Sequence, residues 1–484
     1  MAKEIMSLKP QAVWNYFYEL TQIPRPTFKI EEVGEYLYQT GKKMGLETLR
    51  DEVGNVLIRK PASPGMENKP TITLQAHMDM VPQKNNDVEH DFEKDPIDAY
   101  IDGEWVTARG TTLGADNGIG VAMALSILDE KDLKHGPLEV LITVNEEVGM
   151  DGAFGLKPGF LKGDILFNLD SEEDGNVYIG CAGGVDVNVF MDYQPETACS
   201  NPKKAYRIEL SGLKGGHSGV DIRLDRGNAN KLMARLLKKL VAEQNIRISE
   251  IVGGNMRNAI PREAYAIIAC CEKKAENVEA IIKEYESLYQ KEFEGIESGI
   301  SLKAIPTDCP KSFMPREVAN KLVFSLDACI NGMISMLQTF PGVVEASTNM
   351  SIVAAKEGKI EVNFLARSSS DSRKMWVASQ IESNFLNIGA RVEFDANYCG
   401  WQPNPNSKAM HTLVDSYKAV YGKEPGVLVM HAGLECGIIQ GVMPNMDMVS
   451  FGPEIRFPHS PDEKVEIKTV ETTYNVLLHA IENI

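Results

Sequence analysis

Five acidic and imidazole side chains recur along this chain, and the last stands far from the others. They are His77 in LQAHMDMV, Asp116 in GTTLGADNGIG, Glu147 in TVNEEVGMDGA, Asp170 in FNLDSEEDG and His459 in FPHSPDE. Three of them follow apolar, β-branched runs: TITLQA before His77, VLITV before Glu147 and DILFN before Asp170. Such runs read as buried strands, and open α/β sheets gather their sites at the carboxyl ends of strands. Asp116 lies instead in a Gly-rich turn ahead of the helical run VAMALSILDE, where a ligand is held close to backbone. His459 comes 289 residues after Asp170. That gap is too long for a loop inside one compact domain. A chain that uses all five must leave its first domain, build another and return.

The residue types point to metal chemistry. Two divalent ions about 3.5–4 Å apart need a carboxylate between them and terminal donors on either side. Two His, two terminal carboxylates and one carboxylate to bridge supply that set. Imidazole with carboxylate suits zinc, with cobalt or manganese as substitutes. Glu146, directly before Glu147, is a sixth group. Asp79 lies two residues after His77 and points the same way along a strand of period two, placed to orient the imidazole from behind. Taken singly, a His after a strand is ordinarily a core or surface histidine, and adjacent acids are ordinarily a solvated edge. Their joint occurrence on strand ends carries the inference.

The spacing predicts an α/β protein of two domains: one of repeated strand and helix, made of residues 1–187 and 399–484, and an inserted α+β domain over 188–398. In the first part, Leu8–Thr21 and Lys29–Met44 read as amphipathic helices. The insert opens with the alternating AYRIELSGLKGG, typical of a half-exposed antiparallel strand. The helix GNANKLMARLLKKLVAEQN, the strand REAYAIIACCE and a second round beginning at GKIEVNFLARSS follow. The chain returns at Trp401 and runs through a helix (Ser407–Tyr421), the strand VLVM and MDMVSFG to His459.

Composition narrows the function. Hydrophobic residues make up 43% and charged residues 24%, as in a soluble globular protein. The formal net charge of −18 argues against a nucleic-acid partner. No stretch approaches the ~18 apolar residues of a membrane span. The opening MAKEIMSLKPQAVWNYF has no apolar core or small-residue cleavage site, which gives the expectation of a cytoplasmic protein. The cysteines (Cys181, Cys199, Cys270, Cys271, Cys309, Cys329, Cys399 and Cys436) form no CxxC pair and are expected to be reduced. Cys436, in HAGLECG, reads as a small buried residue rather than a nucleophile.

The strings LQAHMDMVPQKNND, ARGTTLGADNGIG, MDGAFGL, LKGGHSG, RNAIPREA, HAGLECG and FPHSPDE resemble the zinc aminoacylase and dipeptidase family of metallopeptidases, with its H-x-D, D, EE, D, H series. Within it the resemblance is to the branch of bacterial aminoacyl-histidine dipeptidases, over essentially the whole chain. It implies a co-catalytic metallopeptidase whose catalytic domain has a mostly parallel sheet and whose inserted α+β domain is a lid, acting on unblocked dipeptides including Xaa-His such as carnosine. Asp116 is then the bridging carboxylate, His77 and Asp170 complete one metal site, and Glu147 and His459 the other. Glu146 is the general acid/base that serves a metal-bridging hydroxide. The peptide bond after Asp116 is implied to be cis. In the lid, His217 is implied to reach the substrate carbonyl, where an imidazole stabilises an oxyanion. Asn258 and Arg367 are further substrate-binding residues, the guanidinium suited to a C-terminal carboxylate. His431 is placed as a lining residue of the pocket. His90, His135, His411 and His479 have no supporting acids and read as structural or solvated.

The same residues bear on other functions. An N-acyl amino acid amidohydrolase would use the same metals but recognise an acyl group. A non-catalytic metal-binding protein would have lost Glu146 or a ligand, and none is lost. A dinucleotide-dependent dehydrogenase is disfavoured because no GxGxxG follows the first strand. The expected partners are small dipeptides and two divalent ions, with a homodimer as one expected assembly.

Overall fold

The computed structural model describes residues 2–197 and 204–484. Cys199 lies outside the described residues. The chain divides into two compact units. The first comprises Met1–Gly180, Trp401–Val429 and Leu434–Ile484; the second comprises Cys181–Gly400 and Met430–Gly433.

The first unit is built on an eight-stranded sheet in the order 47–50, 56–60, 138–143, 72–77, 165–168, 447–450, 176–181 and 426–430. Its centre is parallel: Ile72–His77 pairs in parallel with Leu138–Thr143 and with Ile165–Asn168, which pairs in parallel with Asp447–Ser450. Val56–Lys60 adds an antiparallel strand outside Leu138–Thr143. Every residue of Ile72–His77, Leu138–Thr143 and Ile165–Asn168 is buried. That explains why these strands read as largely apolar runs rather than as alternation. The helix Ala115–Asp129 is buried almost throughout, consistent with apolar residues on all its sides.

A separate four-stranded sheet runs 455–456, 464–466, 105–108, 99–102. The first two strands form a hairpin whose loop carries His459 and Glu463, and its second strand pairs with Trp105–Ala108. Trp105–Ala108 leads directly into the Asp116 turn. This small sheet therefore brings His459 beside Asp116.

The second unit is built on a nine-stranded sheet with helices, and among the described residues its strands pair antiparallel throughout. Lys204–Ser211 alternates buried and half-buried residues. Its inward side chains, among them Tyr206, Ile208 and Leu210, share one core with residues of the helices Ala229–Gln244, Ala275–Glu292, Arg316–Ala328 and Asp371–Leu386. Asn228 starts the first of these helices by accepting the backbone N–H groups of Asn230 and Lys231, which satisfies donors with no helical partner.

One expected element is shorter than its sequence pattern. The first long helix begins at Gln11, not Leu8, and Ala2–Ser7 forms its own 3-10 turn. Pro10 occupies the N-cap; with no N–H and a fixed φ it starts a helix more readily than it sits inside one. Likewise Lys29–Met44 yields a helix over Glu31–Lys43.

Candidate metal centre

His77, Asp116, Glu147, Asp170 and His459 converge within the first unit as two interlocking groups of donors. Among the described residues, one group is His77, Asp116 and Asp170, the other Asp116, Glu147 and His459. Asp116 belongs to both, and each of its oxygens faces one group. Its Oδ1 lies 3.0 Å from His77 Nε2 and its Oδ2 3.1 Å from His459 Nε2. His77 Nε2 is also 3.3 Å from Asp170 Oδ1, and His459 Nε2 is 2.9 Å from Glu147 Oε2. Glu147 Oε1 is buried without a hydrogen-bond partner. Two nitrogen donors and three carboxylates, one of them shared, fit a pair of divalent ions, and the unpartnered oxygen is a donor left for one of them.

Each donor is held by local structure. His77 ends its strand; Nδ1 lies 3.2 Å from the Asp79 carbonyl oxygen and 3.4 Å from Asp79 Oδ1. Asp116 and Asn117 break the start of their helix with non-helical dihedrals, and the bond between them is cis. Asn117 donates through Nδ2 to the Leu169 carbonyl at 2.9 Å and to Asp170 Oδ1, fixing the Asp170 carboxylate. After Thr143 the chain leaves the sheet; Asn145 takes a left-handed conformation (φ 50°) and Glu146–Gly149 forms one helical turn. Strand alternation therefore no longer applies at Glu146 and Glu147, which lets two neighbouring carboxylates serve one site from different directions.

The electrostatics are those of crowded acids. Burial pushes the Glu146 carboxyl well above the usual range; His77 opposes this, and Asp170, Glu435 and Glu147 add to it. Burial also raises Asp170 and Glu147. For Asp116, burial raises the carboxyl, but bonds from His459 and His77 outweigh it and hold it low. The shared carboxylate is thus the one most firmly kept ionised.

Several supporting residues were not singled out by sequence. Glu463 is buried and accepts the backbone N–H groups of Leu113, Gly114, Ala115 and Asp116 at 2.8, 3.0, 2.7 and 3.3 Å. It ties the His459 loop to the Asp116 turn. Arg25, buried between two prolines of the sequence, donates to the carbonyls of Met78, Asp79 and Gly114. Gly114 has φ 71°, and a Cβ there would stand 2.5 Å from Arg25 Nη2 and 2.7 Å from Met80 Sδ. The flanking prolines of IPRPTF and the acid closing HSPDE were the available signals for these roles.

The remaining expected residues belong to the second unit. His217 lies on a two-residue strand paired with Ala259–Ile260, and Ser218 N donates to the Asn258 carbonyl. The side chain of Asn258 is exposed. His217 Nδ1 accepts the N–H groups of Gly219 and Val220 at 3.2 and 3.1 Å. A nitrogen that accepts carries no proton, so the neutral ring presents Nε2–H as a donor. Burial first, then Arg367, lowers its pKa to about 4. Arg367 is buried, donates through Nη1 to Tyr398 Oη at 2.8 Å and keeps Nε without a partner. His431 is buried and its Nε2 lies 2.7 Å from Ser347 Oγ. Ser347 is the register partner of Arg367, so strand pairing brings His431 and Arg367 together. Cys270, Cys271, Cys329 and Cys399 carry free thiols.

The chain is similar to known peptidases. The sequence model of peptidase family M20/M25/M40 matches residues 73–483. The cytosol non-specific dipeptidase of Escherichia coli (strain K12) is 44% identical over 483 residues, covering 99% of this chain and 99% of that protein. The crystal structure of an aminoacylhistidine dipeptidase from Vibrio alginolyticus is 44% identical, with a TM-score of 0.94 over 100% of this chain and 99% of that one. An aminopeptidase PepT from Bacillus cereus shares the fold at 17% identity, with a TM-score of 0.58 over 98% of each chain.

Proposed function

This chain belongs to peptidase family M20/M25/M40, and on that premise we propose that it is a metal-dependent dipeptidase acting on unblocked dipeptides, Xaa-His dipeptides such as carnosine among them. The observation that carries the site assignment is the sharing of Asp116 between two groups of donors. His77 and Asp170 complete one ion's set, and Glu147 and His459 the other's. Zinc suits these donors, with cobalt or manganese as substitutes. Bound there, a pair of such ions lowers the pKa of water and polarises a carbonyl.

The chain's own residues do the rest. Glu146 is no member of either donor group, and its carboxyl is held high by burial and by neighbouring acids. It is suited to take a proton from water and return it to the leaving amine. Asp79 holds the His77 ring and the backbone of Glu146 in place. His217 offers a neutral Nε2–H donor suited to an oxyanion, and Arg367 a guanidinium suited to a free carboxylate. Asn258 and His431 are proposed as weaker contributors to substrate binding. We keep the second unit as an inserted lid, and a homodimer, as proposals. No helix among the described residues is long and apolar enough to cross a membrane. The E. coli relative is named a cytosol enzyme, and we propose a cytoplasmic location here too.

The test is a substrate panel with the zinc-loaded enzyme: carnosine, other dipeptides, a tripeptide and an N-acetyl amino acid. Dipeptide hydrolysis that stops on chelation and returns with zinc, cobalt or manganese is expected. Hydrolysis of the N-acetyl amino acid alone, or activity that survives chelation, overturns the reading.

A further inference from the structure

Beneath the donors of the first unit lies a connected set of buried polar side chains that the proposed chemistry does not use. Its hub is Glu435, the first residue of the helix Glu435–Val442 and wholly inaccessible to solvent. Glu435 Oε2 accepts from Gln75 Nε2 at 2.5 Å and from Thr143 Oγ1 at 2.7 Å. Gln75 also donates to Thr143 Oγ1 at 3.2 Å, closing a triangle. Through its side-chain Oε1 Gln75 accepts from Asn168 Nδ2 at 2.5 Å. Asn168 accepts in turn from Ser450 Oγ at 2.5 Å, and Ser450 and Ser171 hydroxyls lie 2.7 Å apart.

The positions of these residues are what matter. Gln75 is two residues before His77 on the same strand. Thr143 is the register partner of His77 and ends the strand that leads to Glu146 and Glu147. Asn168 is the register partner of Gln75 and stands two residues before Asp170. Three strands that deliver donors are therefore joined, side chain to side chain, one layer below the donors, and a carboxylate from a distant helix closes the layer. A fully buried carboxylate is expensive unless it is well bonded, yet Glu435 Oε1 has no hydrogen-bond partner. An apolar residue would fill this place at lower cost if packing were the only demand.

We propose that Glu435 is a positioning residue for the metal centre: its hydrogen bonds to Gln75 and Thr143 hold the His77 strand and the strand leading to Glu146 and Glu147 in the register that aligns their donors. Among the described residues it hydrogen-bonds to none of the five donors and acts through these two neighbours. The inference rests on the metal-dependent reading only for what the strands carry. The tether acts by geometry, so an amide at this position serves. Its oxygen takes the place of Oε2, and its NH2 falls where Oε1 has no partner.

The test compares Glu435→Ala and Glu435→Gln with the wild-type full chain. Zinc affinity is measured on metal-stripped protein by competition with a chromogenic chelator, and kcat, KM and Tm are measured alongside. Glu435→Ala is expected to bind zinc about 10–100-fold more weakly, as removal of a partner behind a metal ligand does, and to lose kcat with little change in KM. Glu435→Gln is expected to restore both. Wild-type zinc affinity in Glu435→Ala, even with a lowered Tm, overturns the proposal and leaves Glu435 only structural. A Glu435→Gln as weak as Glu435→Ala also overturns it, because charge rather than tethering is then what counts. If Glu435→Ala does not fold, Thr143→Val removes one of the two donors at constant shape; weaker zinc binding supports the tether and unchanged binding overturns it. The zinc titration judges the inference even if dipeptide hydrolysis is not found.

Discussion

The Asp79 carboxylate accepts the backbone N–H of Glu146 at 3.0 Å through the same oxygen, Oδ1, that lies 3.4 Å from His77 Nδ1. Its other oxygen accepts from Thr27 Oγ1 at 2.9 Å and Glu147 N at 3.4 Å. One side chain thus orients an imidazole donor and pins the turn that carries both glutamates. The bonds from His77, Glu146 and Thr27 outweigh burial and keep the carboxyl below its usual value. Asp79→Asn is expected to lose about 10–100-fold in metal affinity or activity, since an amide has a single oxygen to share among these donors. Metal titration and steady-state kinetics check this; wild-type behaviour in both would show that the carboxylate is dispensable.

Glu146→Gln separates proton transfer from metal binding. Glu146 belongs to neither donor group, and the amide keeps its shape while removing its acid–base function. Turnover should fall by about 10²–10⁴-fold with metal content and KM close to wild type. Loss of metal on elemental analysis would instead make Glu146 a ligand, and retained kcat would remove it from the proton path.

Metal stoichiometry discriminates the shared carboxylate from the terminal ones. Asp116→Ala is expected to deplete both ions, whereas Asp170→Ala should depress chiefly the one held with His77. Dialysed protein analysed by mass spectrometry of metals reads this directly. Equal stoichiometry for the two variants would contradict a bridging Asp116.

The convergence of the five side chains was legible where each closes a strong local signal. His77 and Asp170 end or follow fully buried, largely apolar strands, Glu147 follows a third, and Asp116 lies in a glycine-rich turn. The central parallel strands and the antiparallel alternation of the second unit were legible by the same periodicity. Arg25, Glu435 and Glu463 were not. Each acts across long sequence separations through carbonyls, side-chain amides or backbone N–H groups that no pattern of residue types records. Glu463 reaches a turn 347 residues away at Asp116, and only the pairing of 464–466 with Trp105–Ala108 makes that contact local. The register of the Gln75–Asn168 pair is likewise a property of strand order, which the sequence pattern leaves open.

His217 and Arg367 are expected to separate in kinetics. With Nδ1 occupied by two backbone N–H groups, His217 has only a neutral Nε2–H to offer, so its contribution belongs to charge that develops during reaction. His217→Ala should therefore lower kcat with metal content unchanged. Arg367→Ala should chiefly raise KM for dipeptides with a free C-terminus and leave C-terminally amidated analogues less affected. A KM effect identical for free and amidated substrates would separate Arg367 from carboxylate recognition.

Acid should weaken the second unit through His431. Burial, then the charges of Arg367 and His217, pushes its pKa down to about 3, whereas an unfolded histidine titrates near ~6.5. The ring's bond to the Val344 carbonyl leaves Nε2 to accept from the Ser347 hydroxyl, an arrangement that only the neutral ring can make. Below ~6.5 the unfolded chain binds a proton that the folded chain does not. The stability contributed by this group is complete above that value and is lost as pH falls toward about 3. The size is on the order of a few kcal/mol when the loss is complete. His431→Gln can retain polar partners without taking up the proton. Its denaturation midpoint should therefore fall less steeply than that of the wild type between pH ~6.5 and ~4, the interval in which an unfolded histidine takes up its proton. Parallel curves for the two proteins over that interval would show that His431 is already protonated in the fold, or that its proton is not coupled to unfolding.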